Sequence, residues 1–139
     1  MMLKYQDEVA GIEHCPPKHA APCERVAFRF VHADRHDLRS YLPPAKMNPR
    51  RQFEGDAIPC GAWALSLFDS RASAEAFRRS RTLRRANFFK LIGNDLATGV
   101  IGSQDGLATG PNQEGHFDLH EAVGLDLALR FQLVGPLST

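Results

Sequence analysis

Leu125, Leu127, Leu129, Phe131 and Leu133 occupy every second position near the end of the chain. Side chains of an extended chain point alternately to two faces, so this run predicts a half-buried strand. A turn of helix within residues 126–130 is the alternative reading of its first part. Two earlier stretches carry the same kind of signal. Val26, Phe28 and Phe30 share one face of an expected strand over residues 26–31, and Gly61-Ala62-Trp63-Ala64-Leu65-Ser66-Leu67-Phe68 is the most strand-like apolar run. Asp69-Ser70 follows it with side-chain oxygens suited to capping free N–H groups. The helix predicted over 71–86 then gathers Ala72, Ala76, Phe77 and Leu83 onto a broad face. Strands at both ends around one clear helix predict an α+β domain with a mixed, mainly antiparallel sheet.

The rest of the chain is read from its breakers. Pro43-Pro44, Asn48-Pro49 and Ile58-Pro59 mark residues 33–59 as one long loop, a candidate lid or functional loop. Asp105-Gly106 reads as a hairpin turn and Gly110-Pro111-Asn112 as a second turn. Residues 1–24 lack periodicity and hold three prolines, which predicts an irregular arm contributing little to the core of a single domain over 25–139. A chain of 139 residues holds enough material for one core of ordinary size.

The net charge of +1 conceals segregation: residues 25–90 carry +8, residues 91–139 carry −5 and the first 24 carry −2. Folding can bring these blocks together, so an anionic partner does not follow from the imbalance. Arg71, Arg78, Arg79, Arg81, Arg84 and Arg85 crowd the predicted helix against Glu75 alone. Guanidinium groups suit phosphates, but these spread around the helix and no RNA- or DNA-binding signature accompanies them. The helix therefore reads as a solvated surface that pairs with the acidic half, ahead of a nucleic-acid site over 71–85. No apolar run approaches the ~18 residues of a membrane span, and the first residues lack a signal-peptide pattern. Three cysteines, Cys15, Cys23 and Cys60, leave one unmatched, and reduced thiols in a cytoplasmic protein are the expectation.

Chemistry concentrates in His116-Phe117-Asp118-Leu119-His120-Glu121. On a strand, His116, Asp118 and His120 project from one face, and two imidazoles with a carboxylate suit zinc or another divalent metal. The bland alternative is a solvated face backed by Phe117 and Leu119. His14-Cys15-x3-His19-x3-Cys23 has soft ligand types without the spacing of a zinc knuckle. Cys60 opens the apolar strand; a dyad with a histidine is compatible, though spacing names no partner.

Read in order, Arg29 within Phe28-Arg29-Phe30-Val31-His32, Ser66 within Ala64-Leu65-Ser66-Leu67-Phe68, and Glu121 after His120 resemble the motifs of the ADP-ribosyltransferase fold. The resemblance implies NAD as cofactor, with Arg29 on its phosphate or ribose and Ser66 ordering the pocket. Glu121 would stabilise the oxocarbenium character that develops as nicotinamide leaves. The chain departs from the family where position 119 is Leu instead of the first of two glutamates. The serine motif also reads Ser66-Leu67-Phe68, and no Gly follows the early histidine. Three functional classes are thus expected for a small cytoplasmic domain of bacterial type. It is an NAD-binding, ADP-ribosyltransferase-like domain, a metal-binding domain built on the His-x-Asp-x-His strand, or a non-catalytic protein-interaction or defence-associated module.

Overall fold

The alternation at residues 25–31 becomes a strand in the computed structural model, which describes residues 1–34, 37–47, 58–84 and 92–136. Six strands form one sheet: β1 (Arg25–Val31), β2 (Leu65–Phe68), β3 (Asp95–Ile101), β4 (Gly106–Ala108), β5 (His116–Glu121) and β6 (Gln132–Pro136). Their order is β4-β5-β2-β1-β3-β6, and every neighbouring pair is antiparallel. The α+β expectation holds, with α3 (Arg71–Arg84) as the main helix. Two single-turn helices, α1 (Gln6–Val9) and α2 (Pro44–Met47), are also present. Residues 85–86 of the expected helix and 48–57 of the expected loop lie outside the described residues. The described part of that loop folds locally into a 3-10 turn, Leu38–Tyr41, and α2.

Each face of the sheet is covered differently. Ala27, Val31, Leu65, Leu67, Ala97, Ile101, Phe117 and Leu119 form the larger apolar cluster, closed by Leu127 and Phe131. The residues of β1 that enter it are the odd ones, so exposed Val26 sits on the opposite, more open face. There Phe30, Phe68 and Leu96 pack beneath Ala74 and Phe77 of α3. The ring centroids of Phe68 and Phe77 lie 5.0 Å apart, and those of Phe30 and Phe68 lie 5.7 Å apart. Burying a side chain such as Phe68 contributes ~1.5–3 kcal/mol, which is what holds α3 to the sheet. Ser70 starts that helix as expected, its Oγ accepting from the Ser73 N–H at 3.0 Å.

Three local readings are corrected. The apolar run expected as a strand from Gly61 is a 3-10 turn over Cys60–Trp63, and β2 starts only at Leu65. Pro59 and Gly61 carbonyls accept from the Ala62 and Ala64 N–H groups, so the backbone is satisfied locally instead of in a ladder. The perfect alternation at residues 125–133 is likewise interrupted, and the alternative reading, a turn of helix within residues 126–130, is the one that holds. Asp126 caps a 3-10 turn, Leu127–Leu129, by accepting from the Ala128 N–H, and strand geometry resumes only at Gln132. Leu127 and Phe131 are buried while Leu129 is 76% exposed. Finally, the turn at Asp105-Gly106 does not join paired strands. β3 pairs with β1 and β6, whereas β4 crosses the sheet to pair with β5.

The arm is a further correction. Residues 2–4 run antiparallel to the end of β5, with a bridge between Leu3 and Ala122 and a Lys4 N–H donated to the Glu121 carbonyl. Leu3 and Val9 are buried, and Tyr5 meets Trp63 at 5.8 Å between ring centroids. Ala21 bridges Ala108 on the edge strand β4. Periodicity fails to reveal such a segment because it docks through two separated apolar side chains and backbone bonds.

Candidate thiol-imidazole centre on strand β5

The register of β5 decides which side chains meet. Ser66 is paired with Asp118, Phe68 with His116 and Leu107 with His120. His116, Asp118 and His120 therefore share the α3 face of the sheet with Ser66, as the spacing predicts. They divide there into two groups. His116 Nε2 is hydrogen-bonded with Ser66 Oγ and lies 3.7 Å from Asp118 Oδ1. Hydroxyl and carboxylate thus face the same ring nitrogen. A Ser-His-Asp relay needs them on opposite nitrogens, so the arrangement does not orient His116 as a general base. Burial pushes the Asp118 carboxyl up from its ordinary range, and the neighbouring His116 pulls it back.

His120 belongs to the second group. It is 3% exposed, and its Nε2 lies 3.9 Å from Cys60 Sγ. Cys60 in turn is bonded to Cys15 across 45 residues, with 5.6 Å between the Cα atoms. The expectation of reduced thiols is corrected for this pair, because docking of the arm brings Cys15 onto the turn that carries Cys60. Cys23 is free and packs half-buried against the larger cluster. The ligand atoms of Cys15, Cys60 and His120 all lie within 4.8 Å of one another, the one such trio among the described residues. Of the loop ligands His14-Cys15-x3-His19-x3-Cys23, only Cys15 takes part; exposed His14 pairs with Glu13 instead. Burial pulls the His120 imidazole below its ordinary value and so favours its neutral form.

No family model, curated protein or solved structure matches this chain.

Arg29 and Glu121 lie on the other face, on β1 and β5, with β2 between them. Arg29 is 8% exposed and donates to three main-chain carbonyls: Nε to Ser40 at 2.7 Å, Nη1 to Ser66 at 2.9 Å and Nη2 to Leu42 at 3.3 Å. Burial lowers its pKa to about 10, opposed by the charge of Glu121, and it stays protonated at neutral pH. Glu121 is 3% exposed and forms an ion pair with Lys4 Nζ at 2.6 Å. Its carboxyl is pushed up by burial and pulled down by Lys4, and Oε1 has no hydrogen-bond partner among the described residues. The Ser66 hydroxyl points to the opposite face from both.

Two surface clefts, of about 350 and 410 Å³, flank the larger cluster. The first is walled by His32, Tyr41, Phe131 and Leu133, and neither is lined by Arg29, Glu121, His116 or His120. His120 and Glu121 meet instead at a cavity of about 10 Å³ beneath Leu3, Tyr5 and Trp63. On α3, Arg71 pairs with Glu75 and Arg78 reaches Asn94, while Arg81 lies over the Phe77 ring. No described helix is long and apolar enough to cross a membrane.

The missed residues are Cys15 and Cys60 as a pair. All three cysteines sit beside a proline, so proline context does not single out the pair. His120 was singled out, but for a different set of neighbours.

Proposed function

We propose that this domain is a redox-responsive module whose working group is the Cys15–Cys60 disulfide with His120 beside it. The observation that carries the reading is the placement of an imidazole nitrogen 3.9 Å from Cys60 Sγ in a half-exposed pair. A thiolate from an external dithiol attacks Cys15 Sγ; a new S–S bond forms there and the Cys15–Cys60 bond breaks. The electron pair stays on Cys60 as thiolate, to which His120 Nε2–H donates a charge-assisted hydrogen bond. The second thiol of the reagent then resolves the mixed disulfide and leaves both cysteines reduced. Opening the bond frees the arm from its covalent tie while leaving its backbone bridges to Glu121 and Ala122.

The test is the reduction potential in equilibrium with a dithiol couple, read by alkylation and mass. Purely structural disulfides lie below about −300 mV, and a higher value is expected here. Replacing His120 by Ala removes the stabiliser of the thiolate. The potential should fall by about 20–30 mV if that hydrogen bond contributes ~1–1.4 kcal/mol. A potential below −300 mV, unchanged in the variant, refutes the reading.

A second reading keeps NAD as ligand. It is favoured by one observation, the shared sheet face and mutual electrostatic influence of Arg29 and Glu121. Under it, NAD must displace the carbonyls that hold Arg29, and saturating NAD should raise the melting temperature. An unchanged melting temperature removes it.

A further inference from the structure

We propose that reduction of the Cys15–Cys60 bond creates a Cys2His site for zinc, with His120 as third ligand and one coordination position left open. The inference rests on the redox reading above and adds to it the identity of what the reduced centre holds. It departs from the His116, Asp118 and His120 set: His120 is retained, but its co-ligands come from the arm and from the turn before β2.

The donor chemistry is the first argument. Two thiolates and a neutral imidazole are borderline-soft ligands of the type zinc selects over magnesium or calcium. Their atoms already lie within 4.8 Å of one another, and Zn–S and Zn–N distances of about 2.0–2.3 Å require little further convergence. Reduction must let the two sulfurs spread to the roughly 3.8 Å of a tetrahedral chelate.

Each ligand is also held by a different element of the fold. His120 is fixed in β5, opposite Leu107. Cys60 starts the 3-10 turn that packs on α1 and α2. Cys15 follows an arm segment anchored by buried Leu3 and Val9. Losing the covalent bond therefore leaves the ligands close together, which is the preorganisation a metal site requires. Asp118 stands on the same face beside Gly61, next to Cys60, placing a carboxylate near the centre without using it as a ligand.

The balance is complete. The disulfide takes two electrons and two protons from a dithiol, which becomes a cyclic disulfide. Zinc then displaces the two thiol protons, and the His120 tautomer with its proton on Nδ1 presents Nε2 to the ion. Disulfide and zinc are mutually exclusive occupants of one pair of sulfurs.

The experiment uses the full chain carrying Cys23→Ala, so that the only thiols are the two in question. It is reduced anaerobically without denaturant, freed of reductant, and assayed first for thiols and then for Zn2+ against a chromophoric chelator. Co2+ serves as the spectroscopic probe. Expected are two thiols, one equivalent of Zn2+, and intense tetrahedral d–d and thiolate-to-cobalt charge-transfer bands, with none of these in the oxidised protein. His120→Ala should weaken Zn2+ binding at least 10-fold while leaving both thiols titratable. Two thiols without Zn2+ binding overturn the zinc inference alone. Binding that survives Cys15→Ala/Cys60→Ala, or that is unaffected by His120→Ala, overturns it as well. Absence of thiols after reduction sinks the redox reading and, with it, the source of the thiolates.

Discussion

Removing the Cys15–Cys60 bond by the double substitution Cys15→Ala/Cys60→Ala should lower stability by ~4 kcal/mol. The bond closes a loop of 45 residues that contains the whole of β1. In the chain-entropy account, a loop of that length restricts the unfolded ensemble by about 13 cal/mol/K, which is ~4 kcal/mol at 25 °C. A chain of this length has an unfolding entropy of roughly 0.3 kcal/mol/K near its melting point, so the loss should appear as about 14 °C in Tm. The assay is thermal unfolding of the oxidised protein, of the same protein in reductant, and of the double variant. The latter two should agree with each other. Deleting residues 1–24 should cost more than the double substitution. It also removes Leu3 and Val9, each worth ~1.5–3 kcal/mol when fully buried, together with the backbone bonds to β5. A fall below about 3 °C on losing the disulfide would refute the loop argument. Survival of a full cooperative transition at unchanged Tm after deletion would restore the view of the arm as an appendage.

Two further outcomes follow from the opposite face of the sheet. Arg29→Lys retains a charge but cannot span the carbonyls of Ser40, Leu42 and Ser66, so denaturant unfolding should report a loss of about 3 kcal/mol; a loss below 1 kcal/mol would show that these carbonyls find other donors. Glu121 has its folded pKa raised above the ordinary 4.5, so the folded state binds the proton more tightly than the unfolded. Its contribution is most favourable below about pH 4.5 and is lost as the pH rises through the folded value. Glu121→Gln should flatten that part of the stability–pH profile, and an unaltered slope would place the titration elsewhere.

Much of the fold was legible because its determinants are local. β1 and α3 follow from alternation, from helical spacing and from the Ser70 cap, all within about fifteen residues of chain. The face shared by His116, Asp118 and His120 is likewise fixed by the two-residue repeat of a strand. Alternation misled at residues 125–133 because Asp126 satisfies a backbone donor locally, a competition that hydrophobic pattern does not register. The turn before β2 was missed because the Pro59 and Gly61 carbonyls satisfy its donors within the turn itself. What only the tertiary structure decided is which distant groups face one another. β4 leaves β3 to pair with β5, and Arg29 spends its donors inside the sheet's cover. Cys15 reaches Cys60 because the arm docks beside β5. Those juxtapositions depend on register and on chain closure over tens of residues, where spacing in the sequence no longer measures distance in space.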